Sequence, residues 1–351
     1  MRSRRDIVKC FTKSAGAERR RENEMACQDG YAERYRGLSN DELSARIRET
    51  ARERNAVILA HNYQIPEIQD VADHVGDSLG LSRRAAATDA DVILFCGVHF
   101  MAETAAILSP SKTVLLPDLE AGCSLASTIT ADDVRRWRAE YPDAVVVSYV
   151  NTTAEVKALS DYCCTSGNAE AVIHAIPEDK EILFCPDMFL GAYLEQKTGR
   201  KMHLWLGECH VHAGIDPAEI GRMRAEHPDS DFMIHPECGC VTQCMYHVGT
   251  GDIPEEDTFI LSTEGMIRHA KQTKRRTLVV ATETGILHRL KKEVPTKEFI
   301  PATPGAVCQY MKRITLPKAL WSLETLEHKI TVPEDVAQAA RGAIDRMVAI
   351  G

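Results

Sequence analysis

A chain of 351 residues is about two to three times the usual domain length, so two or three compact units are expected. Apolar residues make up 44% and charged residues 26%, and no apolar run of about eighteen occurs, which points to a globular body and away from a membrane span. The net charge of −9 argues against a nucleic-acid-binding body, although an acidic protein can still bind anionic substrates at helix N-termini and local basic groups.

The charge is uneven along the chain. Residues 1–36 hold ten Lys+Arg and six Asp+Glu, a net of +4, which leaves −13 for the rest (−9 − 4). This stretch has no apolar core of signal-peptide length. Its arginines suggest a transit peptide and its acidic residues speak against one. Residues 1–40 therefore read as a poorly ordered extension, with Met25 as an alternative start, and the protein as cytoplasmic.

Beyond residue 40 the same order of elements recurs in three blocks of roughly 85 to 100 residues. The first runs through AVILAHNYQ, DVILFCGVHFMAETAAIL and TVLLPDLEAGC, the second through DAVVVSYVN, EILFCPDMFLGAYL and KMHLWLGEC. The third runs through DFMIHPEC, RTLVVATETGILHRL and EFIPATPGAVC. Each opens on a short buried-strand pattern that ends in a polar or glycine-containing turn. Ile68, Val71, Ala72 and Val75 fall at i, i+3, i+4 and i+7, one helix face, with Pro66 and Glu67 in its first turn. Strands alternating with helices imply parallel sheets covered on both faces. The expected fold is α/β, three α/β/α sandwich domains related by pseudo-threefold symmetry. Its expected domains are 41–124, 125–209 and 210–308, with a helical segment 309–351 packing back on the first.

In such sheets, binding groups gather beyond the carboxyl ends of the strands. After the first strands these are His61 and Tyr63, Tyr149 and Asn151, and His235 and Glu237. Closing the third strands are Cys123, Cys209 and Cys308. Units packed around an axis would bring these three thiols together, a donor set for zinc or an iron–sulfur cluster, though free cysteines are also common in cores. Twelve cysteines without a secretion signal favour metal or redox chemistry over disulfides. Cys238, Cys240 and Cys244 form a denser group, where redox pairing or packing outweighs a local metal site with His247. Cys163 and Cys164 are adjacent, which disfavours a simple shared chelate, and Cys96 and Cys185 read as core.

His61 and Tyr63 share one side of an extended stretch and are able to donate to a phosphate or carbonyl oxygen, and Glu237 is a candidate general base. Ser78, Ser166 and the pair Ser262–Thr263 precede helical stretches, where an N-cap is the default role and an anion site the alternative. His210 and His212, beside Cys209, suit either supporting or packing roles.

At these residues the sequence resembles the quinolinate synthase family. The matching stretches include AHNYQIPEIQDVADHVGDSLGLSR, PDLEAGCSLA, SYVNTTAEVKALSD, CTSGNA, IHPEC, STEGM, VATETGILHRL and AVCQYMKRITL, in order over about residues 55–325. The resemblance implies one [4Fe–4S] cluster at the centre of the three domains, held by Cys123, Cys209 and Cys308 with one iron open as a Lewis acid. It places substrate at His61, Tyr63, Ser78, Tyr149, Asn151, Ser166, His235, Glu237 and Thr263, with Thr250 a competing match for the last and His61, Tyr63 and Glu237 in catalysis. The implied activity is that of a transferase-type condensing enzyme of NAD biosynthesis, using iminosuccinate and dihydroxyacetone phosphate. An L-aspartate oxidase would supply the first substrate. The extra cysteines that some members carry beside the last ligand are missing, so no redox switch built on them is expected.

Overall fold

The computed structural model describes residues 31, 33–241, 244–245 and 257–350. The first unit comprises α1 (Asn40–Glu53), β1 (Ala56–His61), α2 (Pro66–Val71), β2 (His74–Gly76), α3 (Ser78–Ala87), β3 (Val92–Cys96), α4 (His99–Leu108) and β4 (Thr113–Leu115). The second holds α5 (Ala131–Glu140), β5 (Val145–Tyr149), α6 (Ala154–Lys157), β6 (Tyr162–Cys164), α7 (Ala169–His174), β7 (Ile182–Cys185), α8 (Met188–Thr198) and β8 (His203–Leu204). The third holds α9 (His210–Ala213), α10 (Pro217–Glu226), β9 (Asp231–Ile234), β10 (Thr258–Ile260), α11 (Thr263–Gln272), β11 (Thr277–Ala281), α12 (Ile286–Glu293) and β12 (Glu298–Pro301). Helices α13 (Leu316–Thr325) and α14 (Glu334–Ala349) follow.

Each unit is one parallel four-stranded sheet, and the strand order repeats: β2-β1-β3-β4, β6-β5-β7-β8 and β10-β9-β11-β12. The second strand in chain order always lies outside the first, and the third and fourth add on the other side. Strands β3 and β7 are buried at every residue, which a sheet covered by helices on both faces requires. One large apolar core takes residues from all three units, among them Leu59, Val147 and Met233. The units are therefore packed on one another.

The edge strands β2, β6 and β10 are absent from the sequence reading: three residues are too few to show a period, and the equally short β4 was read only from its place in the recurring order of elements. The helix expected through Val75 stops at Val71, and Val75 lies in β2. Asp73 explains the change. Its carboxylate accepts the Ile58 amide at 2.8 Å and its own amide donates to the Ile58 carbonyl at 3.0 Å, so sheet pairing replaces the next helical turn. Asp161 makes the same pair of bonds with Val146 in the second unit, at 2.8 and 2.9 Å.

Helix α1 begins with a capping box of Ser39 and Glu42 and buries Leu43, Ile47 and Ala51. Helix α13 lies on α1 and β3. The buried Tyr35 donates to Glu324 of α13 at 3.0 Å, so the chain is tied down several residues before α1. Helix α14 packs on α3 and α4 of the first unit and on α6 and β6 of the second. Asn168 donates to the carbonyls of Met347 and Ile350, each at 2.8 Å, and Arg83 donates to Val348 at 2.9 Å. The C-terminal segment thus splints the first two units together. Among the described residues no helix is long and apolar enough to cross a membrane.

Candidate active site

The carboxyl ends of the strands face one cavity. His61, Tyr63, Tyr149, Asn151, His235 and Glu237 line it, as do Ser78, Ser166 and Thr263 and the three cysteines 123, 209 and 308. The two histidines repeat one local geometry. The Tyr63 amide donates to His61 Nδ1 at 3.2 Å, and the Glu237 amide donates to His235 Nδ1 at 3.4 Å. A ring nitrogen that accepts carries no proton, so each ring presents Nε2–H. His235 directs its Nε2–H at Ser166 Oγ, 3.2 Å away. Burial pushes both imidazoles down to about 3, so both are neutral donors.

Glu237 is the hub of the charged groups. Its Oε2 lies 2.9 Å from His212 Nδ1, its Oε1 accepts from Asn151 at 3.4 Å, and the Tyr149 hydroxyl also donates to the carboxylate. Burial acts to raise its pKa, but the His212 charge and hydrogen bond and the Tyr149 bond bring it down to about 2, so it is ionised. Burial opposes the charge on His212, yet Cys209 and Glu237 together lift it well above an ordinary imidazole. Both shifts describe one buried ion pair. Burial and the Glu237 charge hold the Tyr63 and Tyr149 phenols well above their ordinary range, so both keep their protons.

The hydroxyl residues sit at helix starts, but neighbours do the capping. Asp77 caps α3 by accepting from Gly80 at 2.8 Å, and Ser262 caps α11 by accepting from Gly265 at 3.2 Å. Ser78 and Thr263 are instead the first helical residues, and Ser166 precedes the α7 cap Asn168. This corrects the expected N-cap role of Ser78 and Ser166. Asn62 donates to Thr263 Oγ1 at 2.8 Å and is itself held by Arg289 at 2.7 Å. Thr250 lies outside the described residues.

Each cavity cysteine begins a short helical turn: Ala126–Thr128 after Cys123, α9 after Cys209, and Met311–Arg313 after Cys308. In every case a group three residues on bonds the sulfur, namely the Ala126 amide, His212 Nδ1 at 3.3 Å and the Met311 amide. Burial and the neighbouring thiols push Cys123 and Cys308 up. Three thiols that repel one another as thiolates, each with a hydrogen bond already aimed at sulfur, suit a cationic iron–sulfur group. A second donor set shares Cys209: its sulfur and atoms of His212 and Glu237 lie within 4.8 Å of one another.

The dense cysteine group is separate. Cys238 and Cys240 are joined as a disulfide, Cys244 is buried and free, and none of the three lines the cavity. His247 is outside the described residues. Cys96, Cys163, Cys164 and Cys185 are buried in the sheets.

Sequence reasoning passed over the turn after β11. Thr282 there bonds Tyr63 and His212, and Glu283 accepts from the Cys308 amide at 3.0 Å and pairs with Lys312 at 2.9 Å. Lys312 also donates to the Tyr63 carbonyl. A Cβ on Gly285 would meet that carbonyl and the Lys312 ammonium at 2.7 Å each, so only glycine fits there. The strand-end rule would have found this turn had it been applied to the middle strands.

The family described as "Quinolinate synthetase A protein" matches residues 45–349. The quinolinate synthase of Thermus thermophilus is 58% identical over 314 residues, covering 90% of this chain and 99% of its own. That of Mycobacterium tuberculosis is 54% identical over 319 residues, covering 90% and 91%. A solved E-1-hydroxy-2-methyl-but-2-enyl-4-diphosphate reductase from Plasmodium falciparum covers 82% of this chain and 95% of its own at 10% identity, with a TM-score of 0.30, too low to bear on the fold. With the match running through all three sheets and the cavity between them, the chain belongs to the quinolinate synthase family.

Proposed function

We propose that this chain joins iminosuccinate to dihydroxyacetone phosphate and releases quinolinate, phosphate and two waters. The observation that carries the reading is the meeting, in one cavity, of three thiols from three units with the His, Tyr and Glu side chains that follow the first strands. Cys123, Cys209 and Cys308 would hold one [4Fe–4S] cluster. When bound, that cluster would supply Lewis acidity through the iron that has no thiolate.

The remaining chemistry belongs to the side chains. His61, a neutral Nε2–H donor, and Ser78 hold the phosphate that leaves. Tyr149, Asn151, Ser166 and Thr263 orient the two carboxylates, and His235 fixes Ser166. Glu237, ionised, accepts the protons that carbon–carbon bond formation and isomerisation release, and Tyr63, which keeps its proton, returns one. Iminosuccinate is labile, so an L-aspartate oxidase working close by would be its natural source.

The test is an anaerobic assay for quinolinate with both substrates, alongside iron and sulfide analysis. Quinolinate from a brown, iron-loaded protein supports the reading, and an iron-loaded protein that makes none overturns it. The Cys209, His212 and Glu237 set favours a second reading, a zinc site. A colourless protein with one zinc and no sulfide would decide for it.

A further inference from the structure

We infer that Thr282 is a positioning residue for this reaction, its hydroxyl tying the Tyr63 phenol to the His212–Glu237 pair. The inference rests on the proposed condensation. Thr282 follows β11, is 2% exposed and does not line the cavity, so it acts through other groups. Its Oγ1 lies 2.6 Å from the Tyr63 hydroxyl and 2.9 Å from His212 Nε2. Tyr63 and His212 are themselves 3.4 Å apart, a longer contact than either bond through Thr282. The other nitrogen of the His212 ring lies 2.9 Å from Glu237.

A hydroxyl gives one proton and accepts on two lone pairs, so Thr282 can accept from the His212 imidazolium Nε2–H and share a second bond with the Tyr63 phenol. A methyl in its place does neither. Its loss would leave the Tyr63 hydroxyl and His212 Nε2 with only their own longer 3.4 Å contact and free the Tyr63 hydroxyl to turn away from its place beside the cavity. Tyr63 comes from the first unit and Thr282 from the third, so the bond also fixes the two strand ends relative to each other. The proton donor and the proton acceptor are thereby held at one separation. Misplacement of a reacting group costs rate far more than it costs binding.

The experiment compares the parent with Thr282→Val and Thr282→Ser, measuring quinolinate turnover, KM for both substrates, and iron and sulfide on the same preparations. Thr282→Val is expected to keep its iron and its KM within about twofold and to lose about ten- to hundredfold in kcat. Thr282→Ser is expected to recover to within about threefold of the parent, because it restores the hydroxyl. Near-parental turnover of Thr282→Val, or a Ser variant as slow as the Val variant, overturns the assignment. So does loss of iron from Thr282→Val, which would make Thr282 part of the framework of the thiol site. A parent that makes no quinolinate refutes the condensation instead, whatever the variants do.

Discussion

Glu237 is a carboxylate held ionised in a buried position by an imidazolium and hydrogen-bond donors. Gln in its place keeps the shape and much of the hydrogen bonding and removes the proton acceptor. General bases contribute about a hundred- to ten-thousandfold. Glu237→Gln should therefore retain its cluster and bind a dicarboxylate, yet make quinolinate at least about a hundredfold more slowly. Turnover close to the parent's would move the role to Tyr63, and loss of the cluster would make Glu237 structural. The cysteines divide just as sharply. Ala at Cys123, Cys209 or Cys308 should abolish the cluster and turnover, whereas Ala at Cys238, Cys240 or Cys244 should leave iron and sulfide at the parent's level. A full cluster in Cys308→Ala, or none in Cys240→Ala, would reverse the ligand assignment. These residues were legible because each ends or follows a strand at the same place in a repeat. Thr282 was passed over, and His212 was left between a supporting and a packing role, because the contacts that decide both run between units and no local pattern records them.

At the scale of elements, the long central strands and their helices announce themselves by unbroken apolar runs, and the edge strands β2, β6 and β10 do not. The edges are set by single aspartates, Asp73 and Asp161, that trade a helical turn for sheet pairing. The segment before α1 illustrates the same limit. Read as part of an extension, it nonetheless places Tyr35 in the core and bonds it to α13. Deleting residues 1–30 should leave turnover unchanged within about twofold, since every candidate site residue lies later. Tyr35→Ala should lower stability by about 3 kcal/mol, a large-to-small core change, seen as a drop in Tm without loss of kcat. A truncated protein that folds but cannot turn over would show that the extension reaches the active site, and an unchanged Tm for Tyr35→Ala would deny that the segment is anchored.

For the whole molecule, the repeat was legible because three sheets of one strand order impose three similar runs of sequence. The C-terminal segment was expected to pack on the first unit alone; its bridge to the second was not legible, because α14 is held there through backbone carbonyls that any sequence supplies. The distribution of thiols has a practical consequence. Cys123, Cys209 and Cys308 are half-buried in the cavity between the units, whereas Cys96, Cys163, Cys164 and Cys185 are fully buried in the strands β3, β6 and β7. The cluster-free chain thus carries a two-tier chemical reporter of its own assembly. Alkylation followed by mass spectrometry should label the first group in the folded, cluster-free chain and the second only as denaturant rises, so that labelling of the second marks the opening of the shared core. Labelling of both groups at the same rate before any denaturant is added would mean that the core is already open.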